Sequence, residues 1–289
     1  MLTLFTDTDT DFTLKKAKNS NLRLISMPYT IDGELVYPYE DWNTFDAHTF
    51  YEKLRSGTIP TTSSISEDRY LAYFEPEFAK GNDIFYLHFS RTMSTTFNAM
   101  DSAVKKLKEK YPERKFYSVD TGGITILSYL IIEEALDLLS SGKSVEDVIK
   151  WVEKEKNHYA VYFFADDLKF FAHSGRVSNL AGNMGTLLGI RPIIHIDESG
   201  KMLNVDKVKG RLRAIEYLVN KFTELGDEPE KHHIVLAHAD NPELVGELRS
   251  MLEARYDTPL DIEIVDVNPT AGSHCGPDTI GIAFHSISR

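Results

Sequence analysis

The sequence predicts a two-domain α/β protein. The N-terminal domain covers residues 1–160, with a mostly parallel sheet and flanking helices. The C-terminal domain is mixed α/β and covers residues 161–289. Three observations carry this. A chain of 289 residues has the length of roughly two domains. Between Asp83 and Lys156 the pattern strand, loop, helix repeats, the signature of a largely parallel open sheet. Beyond Tyr159–Phe164 the strands shorten and the character changes, which sets the boundary near Asn157 to Asp166.

The elements follow in order. Leu2–Thr6 is an apolar strand ending in Asp7-Thr8-Asp9-Thr10-Asp11, and Leu22–Ser26 is a second strand. Thr30–Glu34 reads as a hairpin turn. Phe45–Arg55 has helical spacing, with Thr44 as its cap. Pro60 is followed by a hydroxyl-rich loop, Thr61–Ser66. The strand Asp83–Phe89 runs into a second such loop, Ser90–Thr96, and a helix to Tyr111. Lys115–Val119 is a strand and Ile124–Leu139 a long apolar helix. Ser144-Val145-Glu146-Asp147 resembles a capping box for the helix that ends near Lys156. Later strands are Pro192–Ile196, Met202–Val205, His233–His238, Ile262–Val267 and Thr279–Phe284, with helices at Gly210–Leu225 and Pro242–Tyr256.

One stretch, Ser174–Lys201, stands apart from ordinary connectors. Gly175, Gly182, Gly185 and Gly189 fall among Asn, Ser and Arg176. Leu180, Met184, Leu187 and Leu188 recur at helical spacing, so a short amphipathic turn or helix is expected there. Pro192 opens the following strand, where a missing N–H is tolerated. Asp197–Gly200 turns into the next strand. An arginine in such a loop, beside apolar residues, is a candidate for handling an anion.

Composition narrows the function. Net charge is −12, which opposes nucleic acid or anionic lipid as the main partner, because both require a basic face. A single cysteine, Cys275, excludes an internal disulfide framework and fits a reducing compartment. The N-terminus lacks the basic and apolar regions of a signal peptide, and no run reaches the ~20 apolar residues of a membrane span. The expectation is a soluble cytoplasmic protein without stable membrane insertion.

No GxGxxG or HExxH occurs. Ser141-Gly142-Lys143-Ser144 ends like a phosphate-binding loop, but Asp137 occupies its first glycine position. Asp7-Thr8-Asp9-Thr10-Asp11 fails as a calcium loop, since Phe12 and Lys18 replace the turn glycine and the bidentate carboxylate. The same residues partly resemble the aspartate motif of haloacid-dehalogenase-type phosphotransferases, with Asp166-Asp167 as a later acidic pair. Asp11 stands where that motif has Thr or Val. The histidines show no metal-ligand spacing, so no metal or cofactor is expected. His274, flanked by glycines beside Cys275, is as consistent with a turn histidine as with a ligand contact. Adjacent residues on an extended segment face opposite sides, so His274 and Cys275 are not a base–nucleophile pair. In parallel sheets ligands sit beyond the carboxyl ends of the strands, which is where the two hydroxyl loops fall. Ser94 or Thr95 would cap the next helix. The same helix start offers free N–H groups to a carboxylate.

Six segments in order resemble the DegV family of bacterial fatty-acid-binding proteins: Asp7-Thr8-Asp9, Pro60-Thr61-Thr62-Ser63, Ser90–Phe97, Ser174-Gly175-Arg176-Val177-Ser178, Leu188–Ile193 and Gly272–Pro277. The resemblance covers essentially the whole chain. It implies a DegV-like fold holding one long-chain fatty acid, such as palmitate or oleate, between the domains. Thr62, Ser94 and Thr95 would hold the carboxylate with His274 close by, and Arg176 and Ser63 would contact the head group or a partner. It also implies a non-catalytic subunit that offers the acid to a separate ATP-dependent fatty acid kinase. The chain departs from the family at Thr95 and Asp278, where glycine is frequent. The alternatives are a magnesium-dependent phosphotransferase using Asp7 and Asp9, and a lipid sensor for a regulatory partner.

Overall fold

The structure is a computed structural model that describes residues 1–178 and 189–289. The amphipathic turn expected around Leu180, Met184, Leu187 and Leu188 lies outside the described residues.

The first half opens with β1 (Leu2–Asp7), a tight turn at Thr8–Thr10, α1 (Leu14–Asn19) and β2 (Leu22–Ile25). A small antiparallel sheet follows, from β3 (Tyr29–Ile31), β4 (Glu34–Val36) and, after α2 (Ala47–Arg55), β5 (Thr61–Thr62). Next come α3 (Glu67–Ala79), β6 (Asp83–His88), α4 (Thr96–Lys110), β7 (Phe116–Asp120), α5 (Ile126–Ser140) and α6 (Val145–Glu155). Strands β2, β1, β6 and β7 form one sheet in that order, every pair parallel.

The second half contains β8 (Tyr159–Phe164), α7 (Lys169–Ser174), β9 (Val177–Ser178), β10 (Ile190–Ile196), β11 (Met202–Lys209) and α8 (Arg211–Leu225). It ends with β12 (Ile234–His238), α9 (Pro242–Glu253), β13 (Ile262–Asp266), α10 (Pro269–Cys275) and β14 (Ile280–His285). Their sheet runs β13-β12-β14-β8-β10-β11-β9 and mixes parallel and antiparallel pairs. The α/β class and the parallel and mixed character of the two sheets therefore match the sequence expectation. Among the described residues no helix is long and apolar enough to cross a membrane.

Several local expectations are corrected. The cap of α2 is Asp46, whose carboxylate accepts from Thr49 N–H, not Thr44. Pro192 is the third residue of β10, and the β8 register begins only at Ile193, so its missing N–H breaks no bond to β8. The stretch around His274 is helical, not extended. Asn268 caps α10, Pro269 stands in its first turn, and Gly272 and Ser273 follow. Helices α1, α3 and α7 are further additions. Two have six residues, too short for a periodic signal, and α3 carries Pro76 in its interior.

Helix α5 is apolar nearly all round, with Leu127, Leu130, Ile131 and Ile132 almost wholly buried. Such a helix must be covered on every side. It packs on β8, β12 and β14 of the mixed sheet and against the Thr8–Thr10 turn. Chain from the first half thus lies on the second sheet, and the seam between the sheets becomes an interior.

Candidate functional site

The carboxyl ends of β1, β6 and β7 point at this seam. Past β1 comes Asp9, past β6 come Phe89, Met93 and Ser94, and past β7 comes Ile124. All of them line one polar chamber. Thr62, Ser63 and Ser64 enter from β5 and the residues after it, Arg176 from the segment after α7, Met202 from β11, and His274 from α10. Behind it lies a second chamber, apolar, whose walls include Val161, Phe163, Phe171, Val267 and Cys275. Ile124, Met202 and His274 belong to both linings, so the chambers adjoin at these three residues. The space unoccupied by atoms is about 520 Å³ in the apolar chamber and about 530 Å³ in the polar one, open solvent at the mouths included.

α10 sets the junction. Asn268 donates from its backbone N–H and side-chain amide to Asp11 Oδ1, at 2.9 and 2.7 Å, and Thr270 Oγ1 donates to the Met27 carbonyl at 2.7 Å. These bonds tie α10 to loops of the parallel sheet. Gly272 admits the Tyr51 ring so closely that a Cβ would lie 2.4 Å from its hydroxyl. Gly276 closes the helix at φ 76°, where a Cβ would lie 2.2 Å from the Phe170 ring. Both glycines beside His274 are therefore packing requirements.

His274 Nε2 lies 3.0 Å from Thr62 Oγ1. Burial, with positive charge from Arg176 and His173 nearby, holds its imidazole down at about 4. The ring is neutral at pH 7. Arg176 is exposed at the chamber and donates from Nη1 to the Ser174 carbonyl. A cationic guanidinium, a neutral imidazole and several hydroxyls around one space suit a single carboxylate. Cys275 is buried, its thiol pushed up to about 12 by burial, so it serves as apolar wall.

Of the residues singled out from sequence, Thr62, Ser63, Ser94, Arg176 and His274 come together around this chamber. Thr95 does not. It is exposed, its hydroxyl lies 3.0 Å from Ser64 Oγ, and it is absent from the lining. Its φ of −79° is ordinary, so replacing glycine there costs nothing locally. Ser94 Oγ accepts from Thr96 N–H at 3.2 Å and serves α4 as well as the chamber. Ser90 and Thr92 are engaged elsewhere, both donating to the Gly200 carbonyl of the mixed sheet's turn. Asp278 sits at φ 61°, a conformation Asp tolerates better than most residues. Its carboxylate accepts from Arg55, Arg211 and Asn241, which joins α2 to α8 and α9.

The phosphotransferase reading fares poorly on geometry. Asp7 is fully buried, accepts from Tyr86 Oη, Phe89 N–H and Asp9 N–H, and lines neither chamber. Asp166 is held by Arg191 and Arg211. Sequence reasoning passed over Ile124 and Met202, the apolar gateposts, and did not see Asp9 as chamber wall. The position of Asp9 just past a parallel strand was the available signal.

Comparison with known proteins adds independent information. The family model described as "Uncharacterised protein, DegV family" matches residues 1–286. A fatty acid-binding protein of Thermotoga maritima is 33% identical over 247 residues, covering 83% of this chain and 82% of the relative. The crystal structure of a DegV lipid-binding protein from Thermotoga maritima superposes with a TM-score of 0.83 at 25% identity, covering 100% of this chain and 99% of that one. The fatty acid kinase B3 protein of Streptococcus pneumoniae, solved loaded with linoleic acid, has the same fold, with a TM-score of 0.81, 19% identity and 99% coverage of each chain. With a family match spanning nearly every residue, and a fold shared with fatty-acid-loaded members, this chain belongs to the DegV family.

Proposed function

We propose that this protein binds one long-chain fatty acid, with its carboxylate in the polar chamber and its tail in the apolar one. The observation that carries this reading is that a polar chamber and an apolar one share Ile124, Met202 and His274 as wall. Thr62 and Ser94 are the carboxylate donors, His274 lies beside them, and Ser63 and Arg176 stand nearer the solvent. Residues 1–160 then act as the carboxylate-binding domain and residues 161–289 as the cover over the acyl chain. Affinity comes from the tail. Each CH₂ removed from water is worth ~0.8 kcal/mol, so a sixteen-carbon chain contributes on the order of 10 kcal/mol before binding costs.

The protein presents that carboxylate to a separate ATP-dependent fatty acid kinase, which forms the acyl phosphate in the cytoplasm. The kinase assignment of the Streptococcus pneumoniae neighbour supports this, as does the exposed Arg176, free to meet a partner's acidic or phosphate groups at the mouth. The chain itself is then a carrier and no enzyme.

Native mass spectrometry of the freshly purified protein, followed by denaturation and lipid identification, tests the reading. A one-to-one adduct with the mass of a long-chain fatty acid is expected. A clean unliganded mass that stays unchanged after incubation with palmitate and oleate would falsify it. Acyl-phosphate formation from the loaded protein, ATP and a fatty acid kinase catalytic subunit then separates a kinase substrate carrier from a lipid sensor.

A further inference from the structure

Asp9 is unexplained by the site as described. It lines the polar chamber, yet it is only 6% exposed and Oδ1 has no hydrogen-bond partner among the described residues. Asp7 accepts three hydrogen bonds, and Asp11 accepts two from Asn268, both on Oδ1, its Oδ2 being without a partner among the described residues. Of the three only Asp9 has no side-chain hydrogen bond among the described residues and lines the chamber. A buried carboxylate without donors or a counter-charge takes up a proton instead. Burial raises the Asp9 carboxyl well above the ordinary range, and the nearby charges of Asp7 and Asp11 add to it. A protonated Asp9 has an O–H and needs an acceptor, and a fatty-acid carboxylate in the chamber is one.

We infer that Asp9 is a hydrogen-bond donor to the bound carboxylate through its O–H, so that the protein's hold on fatty acid weakens when Asp9 loses that proton. The inference rests on the fatty-acid reading and adds to it a head-group donor and a pH dependence. The charged and titratable groups around the chamber are few. Asp7 and Asp11 flank Asp9 on its own segment, Tyr86 on β6 feels the charges of both Asp7 and Asp9, and Asp120 on β7 acts on Asp7. His274 faces the chamber from α10, and Arg176, with His173 behind it, from the segment around α7. Phe89, Met93, Ser94, Thr62, Ser63 and Ser64, from the other walls, do not titrate. Above pH 6.5 His274 is neutral and does not change state, whereas Asp7 and Asp11 ionise near pH 7 in wild type and variants alike.

The test is the affinity for a fluorescent polyene fatty acid, cis-parinaric acid, between pH 6.5 and 9.5. Monomeric fatty acid is a carboxylate over this whole range, its carboxyl resembling that of Glu at about 4.3. Wild type, Asp9→Asn and Asp9→Ala are compared, with thermal melting as the check on folding. Wild-type affinity is expected to fall, approaching about tenfold per pH unit once Asp9 ionises. Asp9→Asn keeps a donor that cannot ionise, so it binds two- to threefold more weakly at pH 6.5 but with a profile shallower than wild type, its remaining slope being that of Asp7 and Asp11 near pH 7. Asp9→Ala is expected to bind five- to tenfold more weakly at pH 6.5, with the same shallower profile. If Asp9→Ala does not fold, the slope of Asp9→Asn decides alone. Overlapping profiles for all proteins, with tight wild-type binding, overturn the inference and leave the fatty-acid reading intact, as does tighter binding by Asp9→Ala. A wild-type protein that never binds the probe removes both.

Discussion

Ser90, Thr92 and Ser94 lie in one short loop and serve different neighbours. Ser90 and Thr92 hold the Gly200 carbonyl and so tie the parallel sheet to the mixed one. Ser94 faces the chamber. Two substitutions separate these roles. Ser94→Ala is expected to weaken fatty-acid affinity several-fold while costing stability no more than a helix cap, about 1 kcal/mol. Ser90→Ala is expected to leave affinity nearly unchanged and lower stability by about 1–2 kcal/mol, since it removes a buried bonded hydroxyl. Chemical denaturation and probe titration on both proteins check this, and the reverse pattern would mean the two serines have been assigned the wrong way round. The hydroxyl loop itself was legible, because serine and threonine cluster where a parallel strand ends. The division within it was not, because it depends on Gly200, which is remote in sequence. The same holds for Thr95, whose spacing matched that of its neighbours but whose side chain turns to Ser64.

At the scale of the element, α10 carries the most information for its length. Its seven residues and their Asn268 cap hold His274 against Thr62, anchor on Asp11 and Met27, and fill the space beside α7. Gly276→Ala tests that packing. Its φ of 76° is unfavourable for alanine, and the new methyl would overlap the Phe170 ring. A loss of about 2–4 kcal/mol is expected, together with weaker fatty-acid binding because His274 shifts. A melting temperature within a degree or two of wild type would show that Phe170 moves aside freely and that α10 is not held as described. The sequence displayed the motif of α10 but not its helical state. Glycine and serine argue against a helix interior, and here the Asn268 cap, Pro269 in the first turn and tertiary anchors override that preference. Longer elements such as α5 and the β6–α4 unit were legible because their periodicity extends over many residues.

For the whole molecule, three buried carboxyls in five residues have a consequence that reaches beyond the chamber. Burial raises Asp7 and Asp11 to about 7 and Asp9 well above the ordinary value, against 3.8 for each when unfolded. A group raised in this way stabilises the fold fully below pH 3.8, and that contribution is lost as pH rises through the folded value. Two buried histidines, His88 and His274, are lowered from 6.5 to about 4, mainly by burial. Their contribution is present above pH 6.5 and lost as pH falls toward 4, so between these values they oppose the aspartates. About a pH unit above 6.5 both histidines are neutral in the folded and the unfolded chain and drop out. The three aspartates remain, and Glu133, Glu134 and Asp266, also raised by burial, act in the same direction. Stability of the unliganded protein is therefore expected to decline from pH 6.5 upward, by about 1.4 kcal/mol per pH unit for each carboxyl still protonated in the folded state. The decline is steepest at the low end of this range and flattens as Asp7 and Asp11 ionise near pH 7. Urea denaturation at intervals from pH 6.5 to 8.5 measures the decline directly. Asp9→Asn removes one ionisable carboxyl, so its stability should overtake that of wild type as pH rises. A flat wild-type profile over this range would mean that the Asp7–Asp11 turn takes up water or a cation and leaves its carboxyls ionised. Asp9 could not then be the donor in the chamber.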